Sequence, residues 1–315
     1  MSPKPVTNSE TTERAIKAFD NLNGSQPGFR PAHAKGILLT GTFTPSAAAH
    51  SLTRASHIER SSTPVSVRFS DFAGIPNVPD NNRNASPRGM AIRFHLAEHK
   101  HTDIIAHSVD GFPARTAEEF VELLEAIYAS GAATTKPLPI EQFLGTHPAA
   151  LKFEQTPKPF PASFATESFF GVSAYLFTNK VGESQYGRYR IRPNGPGEYL
   201  DDASAAKQSP NYLIDDIQAR LEKGVKMRIF VQLAAEGDVV DDATVSWPQG
   251  RPEIELGTVE LSAVAPQNQD EQRHIIFDPI PRVDGIEPSA DPLLEARAQV
   301  YLATGRRRRS QGAEA

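Results

Sequence analysis

Prolines constrain the fold of this chain more than any other feature, because 26 of them are scattered along 315 residues. They occupy turns such as Pro157–Pro161 and Pro193–Pro196 and are not concentrated in one linker. Proline interrupts helices and central strands alike, so this distribution favours short elements joined by tight turns. Segments such as Pro64–Phe69 and Gly89–Leu96 alternate apolar and polar residues, as half-buried strands do. The pattern predicts an α+β protein, mainly β, built on an antiparallel barrel with helical insertions.

The periodicity of apolar residues predicts the individual elements. The helix predicted at Thr116–Ser130 has Thr116 as its cap, and Glu119 would complete a capping box. The last helix, Asp291–Arg309, begins with an Asp-Pro pair, and Gly305 is expected to fray its final turn. Two further helices are predicted at Thr11–Leu22 and Asn211–Lys223. The predicted strands are His33–Phe43, Pro64–Phe69, Gly89–Leu96, His101–His107, Ser173–Thr178, Tyr186–Pro193, Lys226–Ala234, Thr258–Val264 and Ile275–Phe277.

The composition is typical of a soluble globular protein, with 39% hydrophobic and 23% charged residues. A net charge of −5 argues against nucleic acid as a partner. The absence of cysteine excludes disulfides, thiolate metal sites and a cysteine nucleophile. No signal peptide or membrane span is recognisable, so we expect a cytoplasmic protein without membrane attachment. Because there is no internal repeat or linker, residues 1–315 are predicted to form a single domain.

The last predicted helix contains a tyrosine with unusual neighbours. Arg297 lies four residues before Tyr301 and Arg308 seven residues after it, so a helix would place all three on one face. A neighbouring guanidinium favours the ionised form of a phenol. A phenolate is a hard oxygen donor suited to ferric iron, and haem can be bound through tyrosine. Tyr301 is therefore a candidate haem ligand, although a surface tyrosine packed on arginine stems would show the same spacing.

A histidine and two arginines near the first predicted strands are further candidates. His33 is a candidate acid–base group, because cleavage of a peroxide requires a group that takes a proton from one oxygen and returns it to the other. Arg30 could pair with a carboxylate or a ligand anion. Arg68 and Ser70 are two residues apart in a strand and share a face. An inward Arg68 needs an anionic partner, which a haem propionate or a buried carboxylate would supply.

Five motifs connect these candidates to a known family. HAKG followed by GTF, then VRFS, SPRGMAIRF, WPQGRP and FDPIPRVDGIEPSADPLLEARAQVYLATGRRRR occur in an order and spacing that resemble the haem catalases. The chain length resembles that of the catalase-related peroxidases, or mini-catalases. The resemblance extends from Gly28 to Arg308 and implies a catalase-type barrel whose C-terminal helix carries the haem ligand. The N-terminal arm and the C-terminal helical or flavodoxin-like extension of full-size catalases are expected to be absent.

The resemblance implies a role for each candidate residue. His33 would be the distal histidine, and Ser70 would be the serine that hydrogen-bonds it. Tyr301 would be the axial ligand of the iron, kept ionised by Arg297. The residues that bind the haem propionates would be Arg30, Arg68 and Arg308.

The sequence also departs from the family pattern on the distal side. Full-size catalases carry an asparagine where the alignment places His107, which is therefore a third catalytic candidate beside His33 and Ser70. Phe112 keeps one phenylalanine of a Phe-Phe pair, and Phe120 matches an aromatic residue that flanks the haem. The replacement of this asparagine is expected to affect peroxide dismutation more than haem binding.

The resemblance implies a peroxidase that uses ferric haem b. It would reduce hydrogen peroxide or organic hydroperoxides with electrons from a small organic donor, and the change at His107 favours weaker catalase activity. Relatives of this length are commonly dimeric, so a homodimer is expected. The sequence does not specify the physiological peroxide, the electron donor or NADPH binding.

Other functions fit the same motifs. A hydroperoxide isomerase of the allene oxide synthase type would share Tyr301, Arg297 and His33, and an epoxide product from a fatty-acid hydroperoxide would reveal it. A non-enzymatic haem carrier would not need a proton-transferring histidine beside Ser70 and Arg30. A cofactor-free β protein, with Tyr301 merely packed, would purify without haem absorption.

Overall fold

Short strands and helices follow one another in mixed order in the structure, a computed structural model that describes residues 9–311. This part of the chain contains twelve strands and eight helices, besides three short 3-10 turns. The strands are β1 (Gly36–Pro45), β2 (Thr63–Ser70), β3 (Gly89–Ala97), β4 (Lys100–His107), β5 (Phe160–Pro161), β6 (Phe169–Phe170), β7 (Tyr175–Thr178), β8 (Ser184–Pro193), β9 (Tyr199–Leu200), β10 (Val225–Leu233), β11 (Glu253–Val264) and β12 (Ile286–Pro288). The helices are α1 (Ser9–Asn23), α2 (Ala117–Ala132), α3 (Pro139–Thr146), α4 (Pro148–Gln155), α5 (Asp202–Ala205), α6 (Tyr212–Leu221), α7 (Asn268–His274) and α8 (Pro292–Gln311).

Eight of the strands close into an antiparallel barrel. Their order around the ring is β1, β2, β3, β4, β6, β8, β10 and β11, and β11 pairs again with β1. Closure gives each of these strands a neighbour on both sides, which removes open sheet edges. Outside the ring, β7 pairs with β8 and carries β12. The predicted α+β architecture with an antiparallel barrel is confirmed.

Alternation along the barrel strands separates the hydrophobic core from the candidate site. In β2, Val67 and Phe69 are fully buried in the barrel core, while Arg68 and Ser70 belong to the other face of the strand. Arg68 is nevertheless only 3% exposed, because α7 packs against the neighbouring strand β1 and α8 packs against α7. The arginine that the sequence predicts to be buried therefore lies outside the barrel core and beneath the helices.

All four predicted helices are confirmed, with bounds that differ by a few residues. At the start of α2 the Thr116 hydroxyl accepts the Glu119 N–H at 3.2 Å, as a cap does. The Glu119 carboxylate accepts the N–H of Arg115 at 2.8 Å, so the predicted capping box is displaced by one residue. At the start of α8 the Asp291 carboxylate accepts the Leu293 N–H at 2.9 Å. None of the described helices combines the length and apolar character needed to cross a membrane.

Two expectations about the C-terminal region are wrong. The segment Ile275–Phe277 is not a strand but an extended stretch that follows the end of α7. Gly305 does not fray α8, which continues to Gln311. A Cβ atom at Gly305 would collide with the side chain of Ile276, so the glycine lets α8 pack closely against the extended segment. Helices α3, α4, α5 and α7 have no counterpart among the predicted elements.

The barrel core contains a histidine that makes stability depend on pH. His57 is 2% exposed, its ring centroid lies 4.6 Å from that of Phe94, and its Nδ1 has no partner among the described residues. Burial, with a smaller contribution from Arg60, lowers the pKa of His57 from 6.5 to about 4. Between these values the unfolded chain binds a proton that the folded protein does not. The free energy of unfolding therefore falls as the pH decreases through this window.

We expect His57→Leu to remove this dependence. Relative to the unmodified protein, the variant should gain about 2 kcal/mol of stability when the pH is lowered from about 7 to about 5, because one pKa unit corresponds to about 1.4 kcal/mol. Urea denaturation of both proteins at the two pH values measures the difference. An identical loss of stability in both proteins would contradict a neutral, buried His57.

Candidate active site

One cavity of about 260 Å³ on the outer side of the barrel wall brings all ten candidate residues together. Strands β2, β3 and β4 contribute to its lining, as do helices α1, α2, α4 and α8. The sequence therefore predicts the composition of the site, while the individual roles stay predictions. The ten residues are Arg30, His33, Arg68, Ser70, His107, Phe112, Phe120, Arg297, Tyr301 and Arg308.

Tyr301 and Arg297 lie one turn apart on the same face of α8, as their spacing predicts. Arg297 donates from Nε to the Tyr301 hydroxyl at 3.2 Å, and its guanidinium carbon lies 5.6 Å from the centroid of the ring. Burial acts to lower the pKa of Arg297, but the interactions with Tyr301 and Tyr175 outweigh it and raise the pKa above the usual value. The guanidinium therefore stays charged and is placed to stabilise an anionic oxygen on Tyr301.

Three arginines gather beside the extended segment that follows α7. Arg30 and Arg308 both donate to the Ile275 carbonyl, at 3.0 and 2.7 Å. Arg68 donates to the side-chain oxygen of Gln272 at 2.7 Å. Burial, followed by the charge of neighbouring arginines, lowers the pKa of all three, to about 9 for Arg68 and about 10 for Arg308. Like charges are thus held together in a poorly solvated place.

This cluster of cations indicates an anionic ligand. None of the three arginines forms an ion pair with a carboxylate among the described residues, and their partners are uncharged oxygens. A buried charge is unfavourable unless an opposite charge compensates it. The charge of the buried Asp71 reaches Arg68, but this carboxylate forms its ion pair with Arg88. A ligand that carries carboxylates would supply the missing charge.

Three neighbouring strand positions form a row in the cavity wall. Ser70 of β2 pairs with Gly89 of β3, and Gly89 pairs with His107 of β4. Residues directly opposite each other in antiparallel strands point to the same face of the sheet. A Cβ atom at Gly89 would lie 2.6 Å from the Ser70 hydroxyl and 2.8 Å from Nδ1 of His33. Gly89 therefore leaves the space that the His33 ring occupies.

His33 reaches this row from the loop before β1. Its Nδ1 lies 3.0 Å from the Ser70 hydroxyl, and its ring meets Phe72 edge-on with centroids 5.4 Å apart. Its backbone is left-handed, with φ at 57°. The His33 N–H donates to the Phe72 carbonyl at 2.7 Å, and Arg68 donates to the His33 carbonyl at 2.9 Å. Burial, followed by the charge of Arg68, lowers the pKa of His33 to about 3, so the ring is neutral near pH 7.

His107 ends β4 with one ring nitrogen bonded and the other without a partner among the described residues. Its Nδ1 accepts the Val109 N–H at 3.3 Å, whereas its Nε2 is buried and unpaired. The ring centroids of Phe112 and Phe153 each lie 6.4 Å from that of His107. Burial, followed by the charge of Arg297, lowers the pKa of His107 to about 3. The ring is therefore neutral over the physiological range.

Phenylalanines form much of the remaining wall. Phe112 and Phe120, both predicted, have centroids 5.1 Å apart, and Phe19 of α1 lies 5.9 Å from Phe120. Three further phenylalanines that the motifs do not predict also line the cavity: Phe19, Phe72 and Phe153. Phe72 could have been found from its position directly after the VRFS motif and Asp71. Phe19 and Phe153 carry no motif, because tertiary packing alone brings α1 and α4 to the cavity.

A phenol oxygen hydrogen-bonded by a guanidinium, next to cations that lack an anion, would suit a haem with its iron and two carboxylates. On a closed antiparallel barrel, this arrangement defines the class of β-barrel haem proteins. Comparison with known proteins identifies the family. A family model described as Catalase matches residues 16–314, and the chain belongs to that family.

Two curated relatives resemble the chain over almost its whole length. A protein named catalase-related peroxidase from Mycolicibacterium paratuberculosis is 35% identical over 300 residues, which cover 93% of both chains. Another of the same name from Synechococcus elongatus is 30% identical over 297 residues, covering 92% of this chain and 86% of that protein. A catalase from Vibrio vulnificus is 28% identical over 292 residues, but only 57% of its length is covered. The predicted resemblance to the catalase-related peroxidases is confirmed.

Solved structures support the fold. A fungal catalase superposes with a TM-score of 0.79 at 23% identity, covering 93% of this chain and 62% of that one. A bacterial catalase gives a TM-score of 0.78 at 23% identity, covering 98% and 63%. This chain thus spans less than two thirds of the length of these full-size enzymes, and the similarity concerns the barrel and its helices.

The cavity residues fit the haem on which the catalase family depends. Two observations would otherwise be unexplained: three clustered arginines without a counter-anion, and the unpaired Nε2 of His107. Tyr301 would offer the iron an oxygen ligand, and the apolar walls would suit the porphyrin faces. The three arginines would bind the propionates; they are Arg30, Arg68 and Arg308.

Proposed function

We propose that the protein is a peroxidase that uses ferric haem b to reduce hydrogen peroxide or organic hydroperoxides, with a small organic molecule as electron donor. The observation that carries this proposal is a neutral histidine, held by Ser70, in the same cavity as the Tyr301–Arg297 pair. Membership of the catalase family supports an oxidoreductase that acts on peroxide. In the overall reaction a hydroperoxide gains two electrons and two protons. An organic hydroperoxide yields an alcohol and water, and hydrogen peroxide yields two molecules of water.

The residues of the cavity divide the work of this reaction. When bound, the haem supplies the redox-active iron at which the oxygen–oxygen bond is broken. Tyr301 would hold the iron through its hydroxyl oxygen, to which the charged Arg297 donates a hydrogen bond. His33 accepts the proton of the hydroperoxide and returns it to the departing oxygen. Ser70 fixes the ring orientation that this transfer requires.

The walls of the cavity support an organic substrate or donor. Phe72, Phe112 and Phe153 line it beside the histidines. Apolar walls with a few well-placed polar groups are typical of sites for small organic molecules. The presence of His107 instead of an asparagine agrees with peroxidase activity that exceeds catalase activity. A homodimer and a cytoplasmic location stay predictions.

The visible spectrum and the products of peroxide consumption test this function. We expect the purified protein, supplemented with haem, to show the absorption of ferric haem bound through a tyrosinate. Peroxide should be consumed with oxidation of a reducing dye and a low oxygen yield. A high oxygen yield would identify a catalase, and an epoxide from a fatty-acid hydroperoxide would identify an isomerase. If the protein bound haem but did not consume peroxide, the result would support a non-enzymatic haem carrier.

We expect Gly89→Ala to reduce peroxide turnover by about 100-fold, because the new methyl group must displace His33 from Ser70 and small misplacements of catalytic groups cost rates of this order. The same overpacking should lower stability by about 1–3 kcal/mol. Initial rates with a reducing dye and urea denaturation measure the two effects. Haem content should stay near that of the unmodified protein, since the nearest neighbours of the new methyl group are Ser70 and His33 and not Tyr301 or the arginines.

Gly131→Ala is the matched control for this substitution. Gly131 lies in α2, and a Cβ atom there would meet nothing within 4 Å. This variant should keep both turnover and stability. If Gly89→Ala behaved like the control, Gly89 would not be the residue that makes room for His33.

A further inference from the structure

We infer that the Nε2–H group of His107 is a fixed hydrogen-bond donor of the active site, which acts on the oxygen atoms of a bound peroxide. This inference rests on the proposed function, because it needs a peroxide in the same cavity. It gives His107 a task different from that of His33, although both are histidines in one wall. The hydrogen bonds, burial and strand register of the described residues carry it.

The hydrogen bond at Nδ1 determines which nitrogen of His107 carries the proton. The Val109 N–H can only donate, so Nδ1 must offer its lone pair at 3.3 Å. In a neutral imidazole the proton then resides on Nε2. Burial and the charge of Arg297 lower the pKa of His107 to about 3, so a second proton is not taken up near pH 7. The ring is thereby fixed as an Nε2–H donor.

This donor has no acceptor in the described part of the chain. Nε2 is buried and unpaired, while the ring itself lines the cavity. Its ring neighbours Phe112 and Phe153 offer only aromatic carbon. An unpaired buried donor costs about 1–3 kcal/mol. A ligand oxygen that accepts a hydrogen bond from Nε2 would remove this cost. A peroxide bound in the cavity would supply such an oxygen.

The barrel register places the two histidines for different tasks. Ser70, Gly89 and His107 occupy adjacent positions of three strands, so Ser70 and His107 are two strand spacings apart, roughly 10 Å. The His33 ring lies over Gly89, between them. His33 is bonded to a hydroxyl that can donate or accept, so its tautomer can change during proton transfer. His107 is bonded to a backbone N–H that cannot reverse, so it donates a hydrogen bond throughout.

The chemical consequence is stabilisation of negative charge. As His33 removes the peroxide proton, charge develops on the peroxide oxygen, and a preorganised N–H donor stabilises that charge without itself losing a proton. His33 alone transfers the proton. His107 donates a hydrogen bond and takes part in no oxidation or reduction. Replacing His107 should therefore weaken the binding of anionic ligands, while His33 stays neutral near pH 7.

Ligand binding to the haem-loaded protein tests the inference independently of turnover. His107→Leu removes the donor, His107→Asn retains an N–H donor, and His101→Leu places the same substitution elsewhere on β4, outside the cavity. We expect His107→Leu to bind azide about 10-fold more weakly, because a hydrogen bond to a charged ligand is lost. Carbon monoxide bound to the ferrous His107→Leu variant should show a higher C–O stretching frequency than carbon monoxide bound to the ferrous unmodified protein. The unmodified protein, His107→Asn and His101→Leu should retain tight azide binding and the lower frequency.

The outcomes separate this inference from the proposed function. If His107→Leu matched the unmodified protein in azide affinity and C–O frequency while haem and turnover were normal, the donor role would be overturned and the peroxidase would stand. If the unmodified protein took up no haem, both would be overturned. Thermal unfolding and haem content show whether His107→Leu is folded, and a folded His107→Asn with the affinity of His107→Leu would also overturn the inference.

Discussion

Tyr301→Phe is expected to yield a folded protein that retains little haem and loses at least about 100-fold in peroxide turnover. The substitution removes one oxygen atom and keeps the aromatic ring, so the packing of α8 is preserved. Without that oxygen the iron has no ligand on this helix, and Arg297 loses the partner to which it donates at 3.2 Å. Even residues that only support a metal ligand cost 10–100-fold when changed, so loss of the ligand itself should cost at least that.

Haem titration followed by absorption, with dye-coupled peroxide assays, measures this effect. Tyr128→Phe is the control, because Tyr128 lies in α2 and is 53% exposed, away from the cavity lining. It should bind haem like the unmodified protein. If Tyr301→Phe kept the spectrum and the affinity for haem, iron ligation by Tyr301 would be excluded, and the arginine cluster would have to serve another anion.

His33→Asn is expected to reduce turnover by about 10²–10⁴-fold while haem binding is retained, because general acid–base catalysis contributes this much. Asparagine is chosen because His33 has a left-handed backbone with φ at 57°, a conformation that asparagine tolerates. Its side chain can still hydrogen-bond Ser70, so the loop should keep its course. The lost property is the imidazole that accepts and returns a proton.

The chain offers a closely matched control for this substitution. His99 also has a left-handed backbone, with φ at 58°, but its side chain is 93% exposed and lies outside the cavity. His99→Asn should therefore retain full activity. Equal turnover in both variants would contradict proton transfer by His33.

The pH profile provides a second readout for His33. Because its pKa is lowered to about 3, the ring is neutral and able to accept a proton over the range from about pH 5 to about pH 8. Peroxide turnover should show no step from His33 in this range. It should fall as the pH approaches about 3, where a protonated ring can no longer act as a base. A step near the ordinary histidine value would contradict the buried, neutral state.

The helical parts of the site could be predicted from sequence because local geometry determines them. A spacing of four residues places Arg297 beside Tyr301 in any α-helix, and the hydrogen bond between them follows from that spacing. Alternation in β2 likewise places Arg68 and Ser70 on one face. The catalase resemblance then connected these separate segments, which periodicity alone could not have done.

The remaining features depend on tertiary contacts and left no local pattern. Gly89 acquires its importance only because His33, far away in sequence, packs over it. The segment Ile275–Phe277 has the β-branched and aromatic residues of a strand, but the carbonyl of Ile275 binds arginine side chains, and α8 packs against the segment at Gly305. Phe153 belongs to a helix that the periodicity did not predict.

The arginine cluster makes the stability of the folded protein depend on whether haem is bound. Without its ligand the protein holds three mutually repelling cations in a poorly solvated place, a penalty carried by the folded state. A ligand that binds only the folded chain adds stability in proportion to the logarithm of its concentration over its dissociation constant. Newly made chains that fail to capture haem therefore open more often than loaded ones. Proteolysis in the cell would remove the empty molecules first, so the surviving population would be enriched in active enzyme.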